Sequence, residues 1–552
     1  MIQLIHDQFL HFSQLAGGIA PDYLKLIFVV LLSYPLAGIL KRIPESQPAA
    51  KNLFLIGTSL FYFVGVFDLW TGIRTVMISS AGAYLIAKYV KGPLMPWIGF
   101  VFIMGHMAVS HIARQRRGDD STVDITGVQM VLVMKLTAFC WNVWDGKFPD
   151  SELSAVQQDR AIREMPSVLD YAGYVLFFPS VMVGPAFDYN EYKKWLDLSM
   201  FDVEVTDKKG AVRKRRRIPR SGRMATRKAV VGLIWIGLFV KASSMFTVEF
   251  ALSDGFLNYS ILHRVWYIYW LMFGARLKYY GIWSLTEGAC ILAGLGYNGL
   301  DENKRIRWDR VTNIDAWELE TAQNSRGVLE AWNKNTNKWL RNYIYLRVTP
   351  KGKKPGFRSS MATFVTSAFW HGFYPGYYLA FVTASLVQTV AKFSRRYLRP
   401  FFLSPDGTKP TKYKRYYDVF GAVVTQAALA YMTLPFIVLD FNDSIRLWSR
   451  VWFYTHVGII TMYAIFKSPA VGLLQAELKR RTNVTPVQPS KEQLQRELRK
   501  EAPPFGIPDE DLVVTDVNEA FAEIKELKQR QAAGESPLQA FRNAKAHVKK
   551  QS

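Results

Sequence analysis

Phe364-Val-Thr-Ser-Ala-Phe-Trp-His371-Gly372-Phe-Tyr-Pro375-Gly376-Tyr-Tyr-Leu-Ala-Phe381 is a run of apolar, aromatic and small residues with a single histidine near its centre. Gly372, Pro375 and Gly376 follow that side chain directly, so the helix carrying His371 is expected to break there. Broken backbone at membrane depth persists only where protein buries it or where it lines a wet cavity. An ionisable group at that depth costs about 2.5–3.5 kcal/mol on insertion scales when charged, and marks a functional site by default. The uncharged imidazole is the form a general base needs. The competing structural reading is a histidine that hydrogen-bonds between helices and packs.

Around this run the chain has the same character. Of 552 residues, 50% are hydrophobic and 14% aromatic, and the formal net charge is +24. Apolar segments at 23–40, 52–69, 73–90, 94–112, 128–142, 168–187, 229–251, 263–283, 285–297, 359–395 (broken), 418–438 and 446–466 are candidate spans. Runs of about 20 apolar residues cross a bilayer as helices. Because several are short or interrupted by Pro and Gly, the expectation is an all-α polytopic membrane protein of about eleven transmembrane helices. Residues 1–467 would form the membrane domain and 468–552 a polar cytosolic tail of short helices and linkers. Segment 299–358 is too polar to span yet rich in Trp and Tyr, which fits interfacial or re-entrant helices.

The basic charge sits in short loops: Lys41, Arg42 and Lys51; Lys208 to Lys228 with no acid among them; Lys351, Lys353, Lys354 and Arg358; and Lys392 to Lys414. That placement follows the positive-inside rule for cytosolic loops. The densest run lacks the interleaved aromatics that stack bases, which argues against nucleic acid. No basic n-region, apolar core and small-residue cleavage site open the chain, so no cleaved signal peptide is expected. Lys549 and Lys550, third and fourth from the end, read as a dilysine signal for coat-protein retrieval to the endoplasmic reticulum, which requires a cytosolic C-terminus. A weakly charged, non-cytosolic start then implies an odd number of spans. Cys140 and Cys290 alone exclude a disulfide scaffold and a cysteine zinc site. His106 and His111 are five residues apart without a carboxylate at ligand spacing, so no metal site is expected; with His263 and His456 they read as packed or interfacial histidines.

A second stretch carries chemistry. In Leu329-Glu-Ala-Trp332-Asn333-Lys-Asn-Thr336-Asn-Lys-Trp339-Leu340-Arg341, the residues Leu329, Trp332, Thr336, Trp339 and Tyr343 recur at steps of three and four, predicting one helix with an aromatic face. Asn333 lies beside that face, and a carboxamide offers two donors and an acceptor without charge. Asn335 and Asn337 leave the choice among the three open on residue type alone.

Together these stretches resemble the membrane-bound O-acyltransferase family. The match is Trp332-Asn333-x-x-Thr336-x-x-Trp339-Leu340 followed by Trp370-His371-Gly372-x-x-Pro375-Gly376-Tyr377. The Trp-His-Gly-x-x-Pro-Gly-Tyr form is similar to the lysophospholipid acyltransferase branch. Two further stretches resemble its fungal type: Asp124 to Gly127 through Met130, Lys135, Trp141, Asn142 and Asp145; and Pro166 to Leu169 through Phe178, Pro179, Gly184 and Pro185 to Tyr189. The resemblance covers roughly residues 20–467; the tail departs from it. It implies a bundle enclosing a reaction chamber, His371 as catalytic histidine and Asn333 as its polar partner. It also implies acyl-coenzyme A as donor substrate with no bound cofactor, and the sn-2 hydroxyl of a lysophospholipid as acceptor. Trp332, Trp339, Trp370, Tyr374 and Tyr377 are then expected substrate contacts, Arg341 and Arg347 phosphate contacts, and Lys351, Lys353 and Lys354 a greeting for coenzyme A. Packing and positive-inside charge are the bland alternatives for these. The other readings are a different acceptor (diacylglycerol, sterol or protein), a lipid transporter or scramblase gated at 359–395, or a scaffold acting through its tail. Against a transporter, the sequence shows neither internal repeats nor paired intramembrane charges.

Overall fold

The structure is a computed structural model describing residues 2–15, 20–118, 122–206, 212–349 and 357–481, with isolated positions between 526 and 539. Lys208, Lys209, Lys351, Lys353, Lys354, Lys549, Lys550 and most of the expected tail lie outside the described residues. The chain is an all-α polytopic membrane protein; among the described residues its strands are one short antiparallel pair, Asp202–Thr206 with Val212–Arg216. Among the described residues six helices are long and apolar enough to cross a membrane: Pro21–Leu40, Pro48–Val66, Met95–Arg117, Ile125–Asp145, Gly222–Leu252 and Lys414–Val438. The bent pair Tyr454–Lys467 and Ala470–Arg481 makes a seventh if taken as one span.

Some of the expected runs take a different local form. The runs expected at 263–283 and 285–297 are one unbroken helix, Ile261–Ala293, of 33 residues. Arg264, Arg276, Lys278 and Glu287 dilute its hydropathy. The run expected to span at 168–187 is not a span. Its helix stops after eight residues, Val168–Val175, and irregular backbone with buried Phe177, Phe178, Val181 and Met182 leads to the next helix, Tyr189–Leu196. Apolar composition there reflects burial in protein. Lys135, buried in the helix Ile125–Asp145, stabilises the break. Its ammonium donates to the Tyr174 carbonyl at that helix end and lies 4.3 Å from the ring centres of both Tyr174 and Phe187. The Tyr174 hydroxyl in turn donates to the Phe187 carbonyl at 3.0 Å. A cation at a helix C-terminus satisfies carbonyls that have no intrahelical partner.

The chain forms two compact units. The first comprises Met1–Trp339, Ala368–Ala380 and Val419–Thr455. Its centre is the helix Ile125–Asp145, which Asp124 caps through the Thr126 N–H at 2.9 Å. That helix is buried nearly all round, as a helix apolar on every face must be. In the same unit the long helices Gly222–Met245 and Ile261–Ala293 pack together, and buried Glu287 accepts from Lys228 at 2.8 Å and from the Thr312 hydroxyl. Arg276 pairs with Glu320 through two hydrogen bonds of 2.8 Å. The second unit comprises Leu340–Ser367, Phe381–Asp418 and His456–Ser552. In it Phe393 packs against Phe466 at 5.7 Å between ring centres, and Phe402 stacks on Tyr417 at 4.6 Å.

Replacing Lys135 with Met keeps the length of the side chain and removes its donor. The carbonyl left buried without a partner costs about 1–3 kcal/mol. Lys135→Met is therefore expected to lower the thermal midpoint of the purified protein in detergent, and an unchanged midpoint would contradict the role given to this cation.

Candidate active site

His371 is the last residue of the helix Phe357–His371, and the next helix, Pro375–Tyr397, starts at the motif proline. Between them Gly372 turns the chain at φ +118°, a conformation L side chains rarely adopt. Gly376 is needed for a different reason. Its N–H donates to the Leu439 carbonyl at 2.9 Å, and a Cβ there would collide with the backbone of Pro435 and Leu439. This close approach seats the short helix Pro435–Val438 on the motif and delivers Phe436. The His371 ring centre lies 4.9 Å from that of Phe436, 4.7 Å from Trp370 and 5.7 Å from Tyr377. Tyr374 packs on Tyr377 at 6.0 Å.

The helix expected through 329–343 is broken at the asparagine. Ser325–Ala331 ends, Trp332 is extended, Asn333 takes φ +45°, and Lys334–Leu340 begins. Asparagine is among the few residues other than glycine that tolerate the left-handed region. The three asparagines do separate work. The Asn337 side-chain amide donates to the Leu329 and Trp332 carbonyls at 2.6 and 2.8 Å, satisfying the end of the first helix. The Asn335 N–H donates to Asn313 Oδ1 at 3.1 Å. Asn333 Oδ1 accepts from the Thr336 hydroxyl at 2.9 Å. That bond fixes the carboxamide and leaves its NH2 end as a donor, which suits an oxygen on which charge develops.

One face of the helix Ile125–Asp145 holds both pieces. Met130, Met134 and Thr137 are spaced by four and three residues, so they share a face. The Trp370 indole N–H donates to the Met130 carbonyl at 3.0 Å, and the Trp339 indole N–H donates to Thr137 Oγ1 at 2.8 Å. Between them Thr336 Oγ1 lies 3.3 Å from Met134 Sδ. The two indoles meet with ring centres 6.2 Å apart. Trp339, Trp370, His371, Tyr374 and Tyr377 thus gather with the Asn333 segment on one support. With their N–H groups engaged, Trp339 and Trp370 offer a substrate only ring surface. Trp332 does not join them: it packs on Trp283 and Tyr279 at 5.2 and 5.5 Å. Arg341 opens the turn Arg341–Tyr345 in the second unit, as does Arg347 the residues after it, where its Nε donates to the Asn342 carbonyl at 3.2 Å. Phe436 and Thr137 escape sequence reasoning, since both act through contacts distant in the chain.

Residues 115–434 match the sequence profile of the MBOAT, membrane-bound O-acyltransferase family. The chain is 47% identical over 483 residues to a Schizosaccharomyces pombe protein named lysophospholipid acyltransferase, covering 88% of this chain and 93% of that one. A Saccharomyces cerevisiae protein of the same name is 45% identical over 464 residues, 82% of this chain and 75% of that one. A Mus musculus protein named membrane-bound glycerophospholipid O-acyltransferase 1 is 33% identical over 419 residues, 75% of this chain and 82% of that one.

Gly376→Val forces a branched side chain into the Pro435 and Leu439 backbone. Overpacking of this kind costs about 1–3 kcal/mol. The variant is expected to unfold at a lower temperature in detergent than the parent, and an unchanged midpoint would show that the turn does not sit on the motif.

Proposed function

We propose that this chain, which belongs to the membrane-bound O-acyltransferase family, transfers a fatty acyl group from acyl-coenzyme A to the free sn-2 hydroxyl of a lysophospholipid. The observation that carries the site assignment is the shared support: the asparagine segment and the histidine segment hang from one face of one buried helix. That shared support favours a reading in which a base and an oxyanion donor work together, as acyl transfer to a hydroxyl requires.

In this reading His371 accepts the proton of the lysophospholipid hydroxyl as its oxygen attacks the thioester carbonyl carbon. The carbonyl oxygen becomes an oxyanion, and Asn333 donates to it through its amide NH2. Collapse forms the ester, breaks the carbon–sulfur bond, and releases coenzyme A as its thiol, the proton passing from His371 to sulfur. General base catalysis contributes typically about 10²–10⁴-fold. Loss of an oxyanion donor costs about 10²–10³-fold in turnover. The aromatic enclosure of Trp370, Tyr377 and Phe436 around the imidazole favours acyl transfer over hydrolysis by excluding water. The proposal extends to an endoplasmic-reticulum membrane with the basic loops facing the cytosol, where acyl-coenzyme A is met. Lys549 and Lys550 are the retrieval signal on which the organelle assignment rests.

Membranes carrying the parent chain are expected to convert lysophospholipid and acyl-coenzyme A into diacyl phospholipid, and His371→Ala to abolish this at equal protein level. Full activity in that variant would remove His371 as the base. Lipid movement without acyl transfer in reconstituted vesicles would point to a transporter instead. Thr336→Val releases the Asn333 carboxamide from its hydrogen bond. Loss of a hydrogen bond worth about 1.4 kcal/mol in the transition state lowers turnover about ten-fold. An unaltered rate in Thr336→Val would mean that the orientation of Asn333 is set by something else.

A further inference from the structure

His111 lies near the end of the helix Met95–Arg117 and is 7% exposed. It packs, as the sequence leads one to expect, but the place where it packs is informative. Its Nε2 is 3.1 Å from the carbonyl oxygen of Trp370, the residue immediately before the catalytic histidine. The ring also covers Gly372 so closely that a Cβ there would come within 3.0 Å of His111 Nδ1. The ring centre of Phe373 lies 6.5 Å away, edge to face.

The last carbonyls of a helix have no intrahelical donor. Here the Gly372 N–H serves Ala368 and Phe369, at 3.3 and 3.2 Å. The Trp370 carbonyl is left to His111, whose Nε2–H donates to it. Trp370 is therefore held at both ends: its carbonyl by the helix Met95–Arg117 and its indole N–H by the Met130 carbonyl of Ile125–Asp145. With that residue fixed on two helices and the next one turned sharply beneath the His111 ring, the backbone carrying the His371 imidazole has little freedom left. We infer that His111 is a positioning residue for acyl transfer, fixing the helix end that carries His371 through the Trp370 carbonyl and the Gly372 turn. The inference rests on the acyltransferase reading for its kinetic consequence and on geometry alone for its structural one.

His111→Phe keeps a ring over Gly372 and removes the donor, whereas His111→Gln restores a donor of similar reach. Misplacing a reacting group by about 1 Å costs up to about 10²-fold in rate. Initial rates in membranes are expected to fall about 10- to 100-fold in His111→Phe. The loss should lie in kcat, with KM for both substrates unchanged, as befits an interaction felt only in the transition state. His111→Gln should recover most of the rate. Hydrogen exchange of peptides covering 366–378 reads the same claim without turnover: faster in His111→Phe, near parental in His111→Gln. Full activity in His111→Phe, equal loss in both variants, or parental exchange in His111→Phe would each overturn the inference. A parent chain that forms no diacyl phospholipid would instead count against the acyltransferase reading, and the exchange comparison would still decide the role of His111.

Discussion

The arrangement depends on one face of the helix Ile125–Asp145. Two indole N–H groups from distant segments find acceptors there, at the Met130 carbonyl and Thr137 Oγ1, and Thr336 Oγ1 packs 3.3 Å from Met134 Sδ between them. In an apolar interior a buried donor without an acceptor costs about 1–3 kcal/mol, so these bonds act less as added stability than as a requirement for correct seating. Segments 202 and 240 residues away in the chain can meet this requirement in one register only. Because Trp339 and Trp370 lie in the same segments as Asn333 and His371, seating the tryptophans seats the two residues proposed to carry the chemistry.

Both proposed catalytic residues sit where regular helix stops. His371 closes a helix before the Gly372 turn, and Asn333 occupies a left-handed position between two helices. A residue inside a helix has its backbone groups engaged and its side chain crowded by neighbouring turns. At a break, the side chain projects from a corner that other elements must brace. Here the braces are named: Thr336 for the carboxamide, Asn337 for the preceding helix end, the Leu439 carbonyl for Gly376, and the aromatic rings of Tyr377 and Phe436 beside the imidazole.

What was legible in the sequence divides along the range of the interactions. The end of the helix at His371 was legible because Gly372, Pro375 and Gly376 act locally on the backbone. The break at Asn333 was not, because Leu329, Trp332, Thr336 and Trp339 keep helical spacing across it; two short helices and one left-handed residue satisfy the same pattern. The apolar run at 168–187 resembled a span because periodicity and composition cannot distinguish lipid from protein as the surrounding medium. Contacts such as that of Lys135 with the Tyr174 carbonyl, 39 residues apart, show that the backbone there breaks inside protein. The single long helix Ile261–Ala293 carried no break signal that the division at 283 could rest on, since its charged residues find partners within the fold: Arg276 in Glu320 and Glu287 in Lys228. Phe436 and Thr137 could not be assigned at all, as nothing local marks a residue whose role is to meet another segment.

The most direct test of the account is a density map of the protein with a non-transferable acyl-coenzyme A analogue and a lysophospholipid bound. The account predicts the acyl carbonyl oxygen within hydrogen-bond reach of the Asn333 amide and the acceptor hydroxyl within reach of a His371 ring nitrogen, with Trp339 and Trp370 still bonded to Thr137 and Met130. An acyl carbonyl lodged away from both Asn333 and His371 would contradict it.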